Sequence, residues 1–309
     1  MASETFAMVV GLIGETTASL NEDLLSATEL RAGMESMTGF LPLVDGTTVE
    51  PVDADGVPAE WIRPAAAVAP DACVLYLHGG GYVIGSCNTH RPLASHLAAR
   101  TGLPVLLVDY RLGPEHPYPA AVDDARRAYE WLLATGFDPG RIVVAGDSAG
   151  GGLTLALLLA LRDESRPLPA LGVPISPWTD LTLSGDSMDS MAERDPMVQR
   201  AGLSRMAAWY VGSADATDPL VSPLFGDPAG LPPLLIHVGE VETLRDDAVR
   251  FAARATAAGV DVTLEVWPEM IHVWHAFGPA VPESEAAVTR VAEFIAQRLG
   301  TPIPAPLPA

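Results

Sequence analysis

Apolar residues along the chain fall into two patterns, short continuous runs and longer segments with apolar positions at helical spacing. The continuous runs predict strands at 73–77, 105–108, 141–145, 170–175, 234–238 and 260–266. The spaced segments between them predict helices over 121–135, 149–163, 244–258 and 285–299. Because the runs do not alternate with polar residues, both faces of the sheet should be covered. The sequence therefore predicts an α/β fold, with a mostly parallel central sheet flanked by helices.

The N-terminal region has a different pattern. Residues 1–45 are expected to be helical, with apolar side chains near helical spacing at Leu24, Leu25, Ala27, Leu30 and Met34. Two short extended stretches within 47–64 flank Asp53-Ala54-Asp55-Gly56. Since Asp-Gly favours positive φ, these stretches predict a hairpin.

A long interval interrupts the strand and helix rhythm. More than fifty residues separate the strands that end near Pro177 and begin near Pro232, too many for an ordinary connection. Within them, 197–210 reads as a helix carrying Met and Trp. We therefore expect a small helical cap at 185–213, joined by the helices of 1–45. The catalytic domain would comprise 46–184 and 214–300, followed by a flexible tail at 301–309, where proline takes every second place.

Charge and composition exclude several classes of protein. The 309 residues include 39 acidic and 18 basic side chains, all 18 of them arginine, for a net charge of −21. Without lysine, Schiff-base catalysis, a Ser-Lys dyad and a P-loop are impossible. The negative charge disfavours nucleic acid and anionic membrane surfaces as partners.

Cysteine usage and the apolar runs indicate an intracellular protein. Cys73 and Cys87 form no C-x-x-C or zinc-ligand spacing, so we expect reduced thiols and no structural metal. The apolar runs at 6–14 and 152–161 are shorter than the roughly 18 residues of a membrane span. The first run also lacks the basic start of a signal peptide. The sequence thus predicts a cytoplasmic protein without membrane insertion.

Two glycine-rich segments carry the chemistry. Gly146-Asp147-Ser148-Ala149-Gly150 fits G-x-S-x-G between a strand and a helix, the context of a nucleophile elbow. His78-Gly79-Gly80-Gly81 follows another strand, and its exposed N–H groups suit an oxyanion hole for acyl transfer. Taken alone, the first segment is also compatible with a glycine-rich turn that carries a helix-capping serine, and the second with a flexible loop. Together they predict a serine hydrolase.

Nearly the whole chain resembles the bacterial hormone-sensitive-lipase family of α/β-hydrolase carboxylesterases. The two glycine-rich segments, Tyr110-Arg111-Leu112-Gly113-Pro114-Glu115-His116-Pro117, and Asp218-Pro219-Leu220 with Ser222-Pro223 carry the resemblance. It implies the α/β-hydrolase fold, no cofactor or metal, and an oxyanion hole at Gly80, Gly81 and Ala149. It also implies that His78, Glu115 and His116 brace the loop of the oxyanion hole, while Asp147 fixes it as an acceptor.

The partners of Ser148 must follow it in the order acid, then histidine. This order leaves His237, expected to be buried in a strand, together with His272 and His275. The family's histidine context matches Glu269-Met270-Ile271-His272-Val273-Trp274, which selects His272 and leaves His275 as a solvated residue at a helix start. Glu240 and Glu242 are both possible acids, and the family register favours Glu242 over Glu240, with Asp246 third.

The implied activity is hydrolysis of short- to medium-chain acyl esters through a Ser-His-Glu triad and an acyl-enzyme. Alternatives are a non-catalytic ligand-binding homologue, and an amidase, peptidase or acyltransferase that uses the same site. Relatives in the family often pair through the last strand and helix, which makes a homodimer possible. The acyl pocket is expected to be lined by Tyr82, Met206, Trp209 and Tyr210, unless these aromatic and Met side chains form packed core.

Overall fold

The computed structural model describes residues 2–20, 25–38 and 42–304, so the predicted helical position Leu24 and most of the predicted tail lie outside it. The described residues build one eight-stranded sheet. Its strands are β1 (Thr48–Asp53), β2 (Pro58–Arg63), β3 (Cys73–Leu77), β4 (Val105–Val108), β5 (Ile142–Asp147), β6 (Leu171–Ile175), β7 (Leu234–Gly239) and β8 (Val262–Trp267). Their order is β1-β2-β4-β3-β5-β6-β7-β8, and only β1–β2 and β2–β4 are antiparallel. The prediction of a mostly parallel sheet is confirmed.

The predicted hairpin joins β1 to β2. Asp55 and Gly56 at its tip have φ of 58° and 83°, as a type I′ turn requires at both central residues. The backbone N–H of Ala54 donates to Val57 O at 2.8 Å, which closes the turn.

Several helices pack on the two faces of this sheet. The helices of the described residues are α1 (Glu4–Leu20), α2 (Ala27–Thr38), α3 (Cys87–Thr101), α4 (Ala120–Ala134), α5 (Ala149–Asp163), α6 (Ser187–Ser190), α7 (Arg200–Val211), α8 (Arg245–Ala257) and α9 (Pro282–Leu299). The sequence analysis did not predict α3. This helix begins with a capping box between Ser86 and Thr89 and contains Pro92.

Successive residues of the inner strands pack into different layers. On β3, Leu75 belongs to the apolar cluster formed with α4 and α5, whereas Val74 belongs to the cluster formed with α3 and α9. Every residue of β3 to β7 is buried. This explains why their sequences are continuously apolar.

Three parallel strands of the sheet, β5, β7 and β8, bring the predicted catalytic residues to one edge. Ser148 directly follows β5, Glu242 follows β7 and His272 follows β8, all at the carboxyl ends of parallel strands. In α/β sheets this edge is where ligands bind. Two further features approach it: residues 176–233, which carry α6 and α7, and α1, whose Phe6 packs against Phe277 with ring centroids 5.8 Å apart.

No helix in the described part of the chain is both long and apolar enough to cross a bilayer.

Candidate active site

Ser148 occupies a sharp turn between β5 and α5. Its φ of 53° and ψ of −119° lie outside the usual regions for a residue with a side chain, as expected at a nucleophile elbow. A Cβ on Gly150 would lie 2.5 Å from His78 O, and one on Gly146 would lie 2.5 Å from Leu77 O. Only glycine therefore fits at positions 146 and 150, two residues before and two residues after the serine. The Ser148 side chain makes no capping bond to α5, so its hydroxyl remains at the helix N-terminus, available for chemistry.

Glu242 and His272 form a buried pair. The Nδ1 atom of His272 lies 2.8 Å from Oε2 of Glu242, and the residues are 4% and 0% exposed. An ionised carboxylate can only accept, so Nδ1 carries a proton and Nε2 of a neutral ring is a free base. This is the tautomer that a serine hydrolase needs.

Ser176, just beyond β6, holds this pair in place. Its hydroxyl donates to Glu242 Oε1 at 2.7 Å, and its oxygen accepts from the backbone N–H of Val273 at 3.2 Å, next to His272. The N–H of Gly239 donates to the same Oε1 at 2.6 Å. Sequence reasoning missed Ser176. Its one signal was its position at the end of a strand, at the edge that carries the other residues.

The electrostatic surroundings favour the charged form of His272. Burial alone would lower its pKa, but the hydrogen bond and negative charge of Glu242 act together with the carboxylates of Asp195 and Asp147 to outweigh burial and raise the pKa above its usual value. The site is thus built to stabilise an imidazolium.

The competing acid points elsewhere. Oε2 of Glu240 accepts the backbone N–H of Glu269 at 2.9 Å, whereas the bond to His272 comes from Glu242. Asp246 accepts the N–H of Ser187 at 2.9 Å and is likewise turned away from the histidine. Of the three acids considered from the sequence, the structure brings Glu242 to the histidine.

The prediction of a solvated His275 is wrong. This residue is fully buried in a short 3-10 helix, Trp274–Phe277, and its Nε2 lies 3.0 Å from Nδ1 of His237. Burial and the neighbouring His237 hold the pKa of His275 well below its usual value. The 3-10 helix packs inward against β7, a long-range contact with no local sequence signal. His237 is buried in β7, as predicted.

The glycine loop after β3 and the start of α5 offer unpaired donors. Gly80 and Gly81 adopt φ of 115° and 60°. Among the described residues, no acceptor pairs with the backbone N–H groups of Gly80, Gly81 or Ala149. Two or three such donors at a helix N-terminus can stabilise an oxyanion.

A buried polar network fixes this loop from behind. The Asp147 carboxylate accepts the Tyr76 hydroxyl at 2.8 Å and the Gly79 N–H at 3.1 Å, and lies 3.4 Å from His90 Nε2. The loop-fixing role predicted for Asp147 is therefore visible. His78 stacks on Tyr110 at 4.2 Å, and burial together with His90 lowers its pKa to about 3. Neutral and enclosed, His78 is unsuited to proton transfer.

The segment 110–117 braces the same loop. The N–H of Gly113 donates to Tyr82 O at 2.9 Å, and the Tyr110 hydroxyl donates to His78 O at 2.6 Å. Glu115 forms an ion pair with Arg31 of α2 at 2.6 Å, and Nε of Arg31 donates to Val83 O at 2.8 Å. The helix α2 is thereby tied to the glycine loop.

The four residues expected in the acyl pocket occupy different environments. Tyr82 and Tyr210 are buried and stack with centroids 3.9 Å apart. Met206 lies against the glycine loop, with its Cγ 3.2 Å from where a Cβ of Gly81 would be and its sulfur closer still. Trp209 is half-buried beneath the guanidinium of Arg205. Of the four, Met206 approaches the predicted oxyanion donors directly.

The potential metal-ligating side chains of the described residues are not grouped as in a metal centre. Within the described ranges, no three His, Cys, Asp or Glu side chains are arranged to hold a metal ion. Cys73 and Cys87 are buried free thiols.

Comparison with known proteins identifies the family and supports the fold. A family model described as alpha/beta hydrolase fold matches residues 74–276. An acetyl-hydrolase of Streptomyces hygroscopicus is 48% identical over 242 residues, covering 78% of this chain and 80% of the relative. An esterase of Acinetobacter venetianus is 36% identical over 280 residues, covering 90% and 91%.

A solved structure extends the likeness to the complete fold. The crystal structure of an esterase from the bacterial hormone-sensitive lipase family superposes with a TM-score of 0.93 at 48% identity, covering 97% of this chain and all of that one. The predicted family and fold are confirmed. The chain is an ester hydrolase that belongs to the bacterial hormone-sensitive lipase family within the alpha/beta hydrolase fold.

Proposed function

We propose that this ester hydrolase works through a triad of Ser148, His272 and Glu242 and a covalent acyl-enzyme. The observation that carries the proposal is the 2.8 Å pair between His272 Nδ1 and Glu242 Oε2, at the sheet edge where Ser148 stands on a strained elbow. An acid that fixes the tautomer, a base and a hydroxyl that acts as nucleophile are the three roles that nucleophilic catalysis needs.

In the first half of the reaction, Ser148 Oγ bonds to the ester carbonyl carbon and passes its proton to His272 Nε2. The carbonyl oxygen becomes an oxyanion, held by the N–H groups of Gly80, Gly81 and Ala149. The imidazolium is stabilised by Glu242. When the tetrahedral intermediate collapses, the bond to the alcohol oxygen breaks and His272 donates its proton to the leaving alkoxide.

In the second half, water replaces the alcohol. His272 takes a proton from the water as its oxygen attacks the acyl carbon, and the same donors hold the second oxyanion. The bond to Ser148 Oγ then breaks, the serine recovers its proton from His272, and the free acid leaves. Atoms and charge balance without a cofactor.

We further propose that residues 185–213, called the cap segment from here on, cover this site together with the helices of 1–45. Met206 lies against Gly81, and Arg31 ties α2 to the carbonyl of Val83. A side chain placed against the oxyanion loop leaves little room beside the carbonyl carbon. Together with a relative named acetyl-hydrolase, this favours short to medium acyl chains.

The test is hydrolysis of p-nitrophenyl acetate, butyrate, octanoate and palmitate by wild type and Ser148→Ala. We expect turnover of the shorter esters and a loss in kcat on the order of 10⁶ for the variant, as in triad dissection of another serine hydrolase. A Ser148→Ala protein that retains wild-type turnover refutes the triad, and a wild type that prefers palmitate refutes the small pocket.

A further inference from the structure

Asp195 is a buried carboxylate in the cap segment for which the steps above give no role. It is 2% exposed, and the four donors that the described residues offer it are neutral N–H and O–H groups. Burying a carboxylate is costly unless hydrogen bonds compensate for the lost water. A negative charge kept at this position without a cation therefore calls for an explanation.

The two oxygens of Asp195 bind two different parts of the chain. Oδ1 accepts the backbone N–H groups of Met197 at 2.9 Å and Val198 at 3.0 Å, which closes a turn within the cap segment. Oδ2 accepts both the backbone N–H of Thr243 at 2.9 Å and its hydroxyl at 3.2 Å. One carboxylate thus bridges the cap segment and the loop after β7.

The residue bound by Oδ2 directly follows the proposed catalytic acid. Glu242 depends on its backbone position as well as on Ser176 and Gly239, because its carboxylate must meet both those donors and His272. A small displacement of Thr243 would move the Glu242 backbone with it. By binding Thr243, Asp195 therefore restricts the position of the Glu242 carboxylate.

Asp195 also acts on His272 through its charge. Three carboxylates influence the imidazole: Glu242 from the loop after β7, Asp147 from the end of β5, and Asp195 from the cap segment. All three raise the pKa of His272 against the opposing effect of burial, with Glu242 the strongest. Asp195 is the one of the three that belongs to the cap.

We infer that Asp195 is a positioning residue that couples the cap segment to the triad, holding the Glu242 loop in place and adding a negative charge that stabilises the His272 imidazolium. The inference rests on the proposed triad. It gives the buried charge a function, since the imidazolium forms in every turnover. It also implies that displacing the cap segment weakens the acid as well as opening the pocket.

The experiment compares Asp195→Asn with wild type on p-nitrophenyl butyrate across pH. By analogy with partners that orient active-site ligands, we expect kcat to fall about ten- to a hundredfold. KM should be unchanged, because the buried carboxylate of Asp195 is bound to Met197, Val198 and Thr243. The acid limb of kcat/KM should move to lower pH, because removal of a negative charge makes the imidazolium less stable.

A matched control removes a charge from the same segment without the bridge. Asp189 is exposed and paired with Arg200 at 2.8 Å, so Asp189→Asn should leave both kcat and the acid limb unchanged. If Asp195→Asn does not fold, Asp195→Ser keeps a small neutral acceptor and should show the same shift. An acid limb at the wild-type pH in the folded Asp195 variant overturns the inference, even when kcat is low.

The same assay separates this inference from the triad itself. Glu242→Gln run in parallel must lose activity if the triad is right. Full activity of Glu242→Gln refutes the triad. If Glu242→Gln is inactive but Asp195→Asn keeps the wild-type pH profile, the coupling is refuted and the triad is not.

Discussion

Replacing Glu242 by glutamine tests whether the Glu242 carboxylate sets the tautomer of His272, because the change replaces one oxygen atom by an NH₂ group. Two donors, the Ser176 hydroxyl at 2.7 Å and the Gly239 N–H at 2.6 Å, converge on Oε1. In Glu242→Gln the amide oxygen must take that position, because an NH₂ group there would face two donors. The amide nitrogen is then turned toward His272 Nδ1, which lies 2.8 Å from Oε2 in the wild type.

The consequence is an imidazole with its proton on the wrong nitrogen. A donor facing Nδ1 requires Nδ1 to accept, so the single proton of the neutral ring moves to Nε2. Nε2 can then no longer take the proton of Ser148. The matching change in another serine hydrolase lowers kcat about 10⁴-fold, and a loss of this size corresponds to about 5 kcal/mol of transition-state stabilisation.

The assay is kcat for p-nitrophenyl butyrate, with thermal unfolding as the check on folding. Glu240→Gln is the matched control, since Glu240 binds the Glu269 N–H and should keep wild-type kcat. A folded Glu242→Gln protein whose kcat is within tenfold of wild type would refute the reasoning about the tautomer.

Three further predictions concern the elbow, a buried carboxyl group of α8 and the N-terminal helices. Gly150→Ala forces a Cβ into backbone carbonyl groups at the end of β3 and should lower the free energy of unfolding by about 3 kcal/mol or more. In the control Gly11→Ala, the new Cβ on α1 meets nothing within 4 Å and should be neutral or slightly stabilising, and urea unfolding measures both variants. Burial, with Asp180 nearby, raises the pKa of Asp247 to about 8, so the folded protein keeps a proton that the unfolded chain loses near pH 4. Stability should therefore fall between about pH 4 and pH 8, and Asp247→Asn, which stays neutral, should flatten the dependence in urea titrations; an unchanged slope contradicts this origin. Arg31→Met removes the hydrogen bonds from α2 to Val83 and Gly113 and should lower kcat for p-nitrophenyl butyrate several-fold, with little change in melting temperature because Met keeps the apolar contacts of this half-buried side chain. Unchanged kcat would show that the loop holds its shape without α2.

The features that the sequence predicted well are those fixed by local contacts. The elbow motif lies within five residues, and the carbonyl group of Gly150 is one of the groups that leave no space for a Cβ on Gly146; at Gly150 itself the Cβ is excluded by the carbonyl groups of Leu77 and His78. Likewise, positive φ at Asp55 and Gly56 determines the hairpin turn. Such patterns can be recognised in the sequence because the residues that form the motif are neighbours in the chain.

Features that arise from distant contacts were missed. Helix α3 is buried on several sides against β2, β4 and α9, so it has no clear polar face, and Pro92 disguises it further. His275 carries no local sign that its ring turns inward to His237. Ser176 and Asp195 reach the triad from other elements, 66 and 48 residues away from the groups they bind.

The most direct test of the central claim, that Ser148 is the covalent nucleophile, is active-site labelling with diethyl p-nitrophenyl phosphate followed by tryptic mass spectrometry. Because the chain has no lysine, trypsin cleaves at arginine and yields the peptide 142–162, in which Ser148 is the sole serine. We predict one diethylphosphoryl group on that peptide, at Ser148, released p-nitrophenol in equal amount and complete loss of esterase activity. Inactivation with the label on any other peptide, or full activity of a protein labelled at Ser148, would contradict the account.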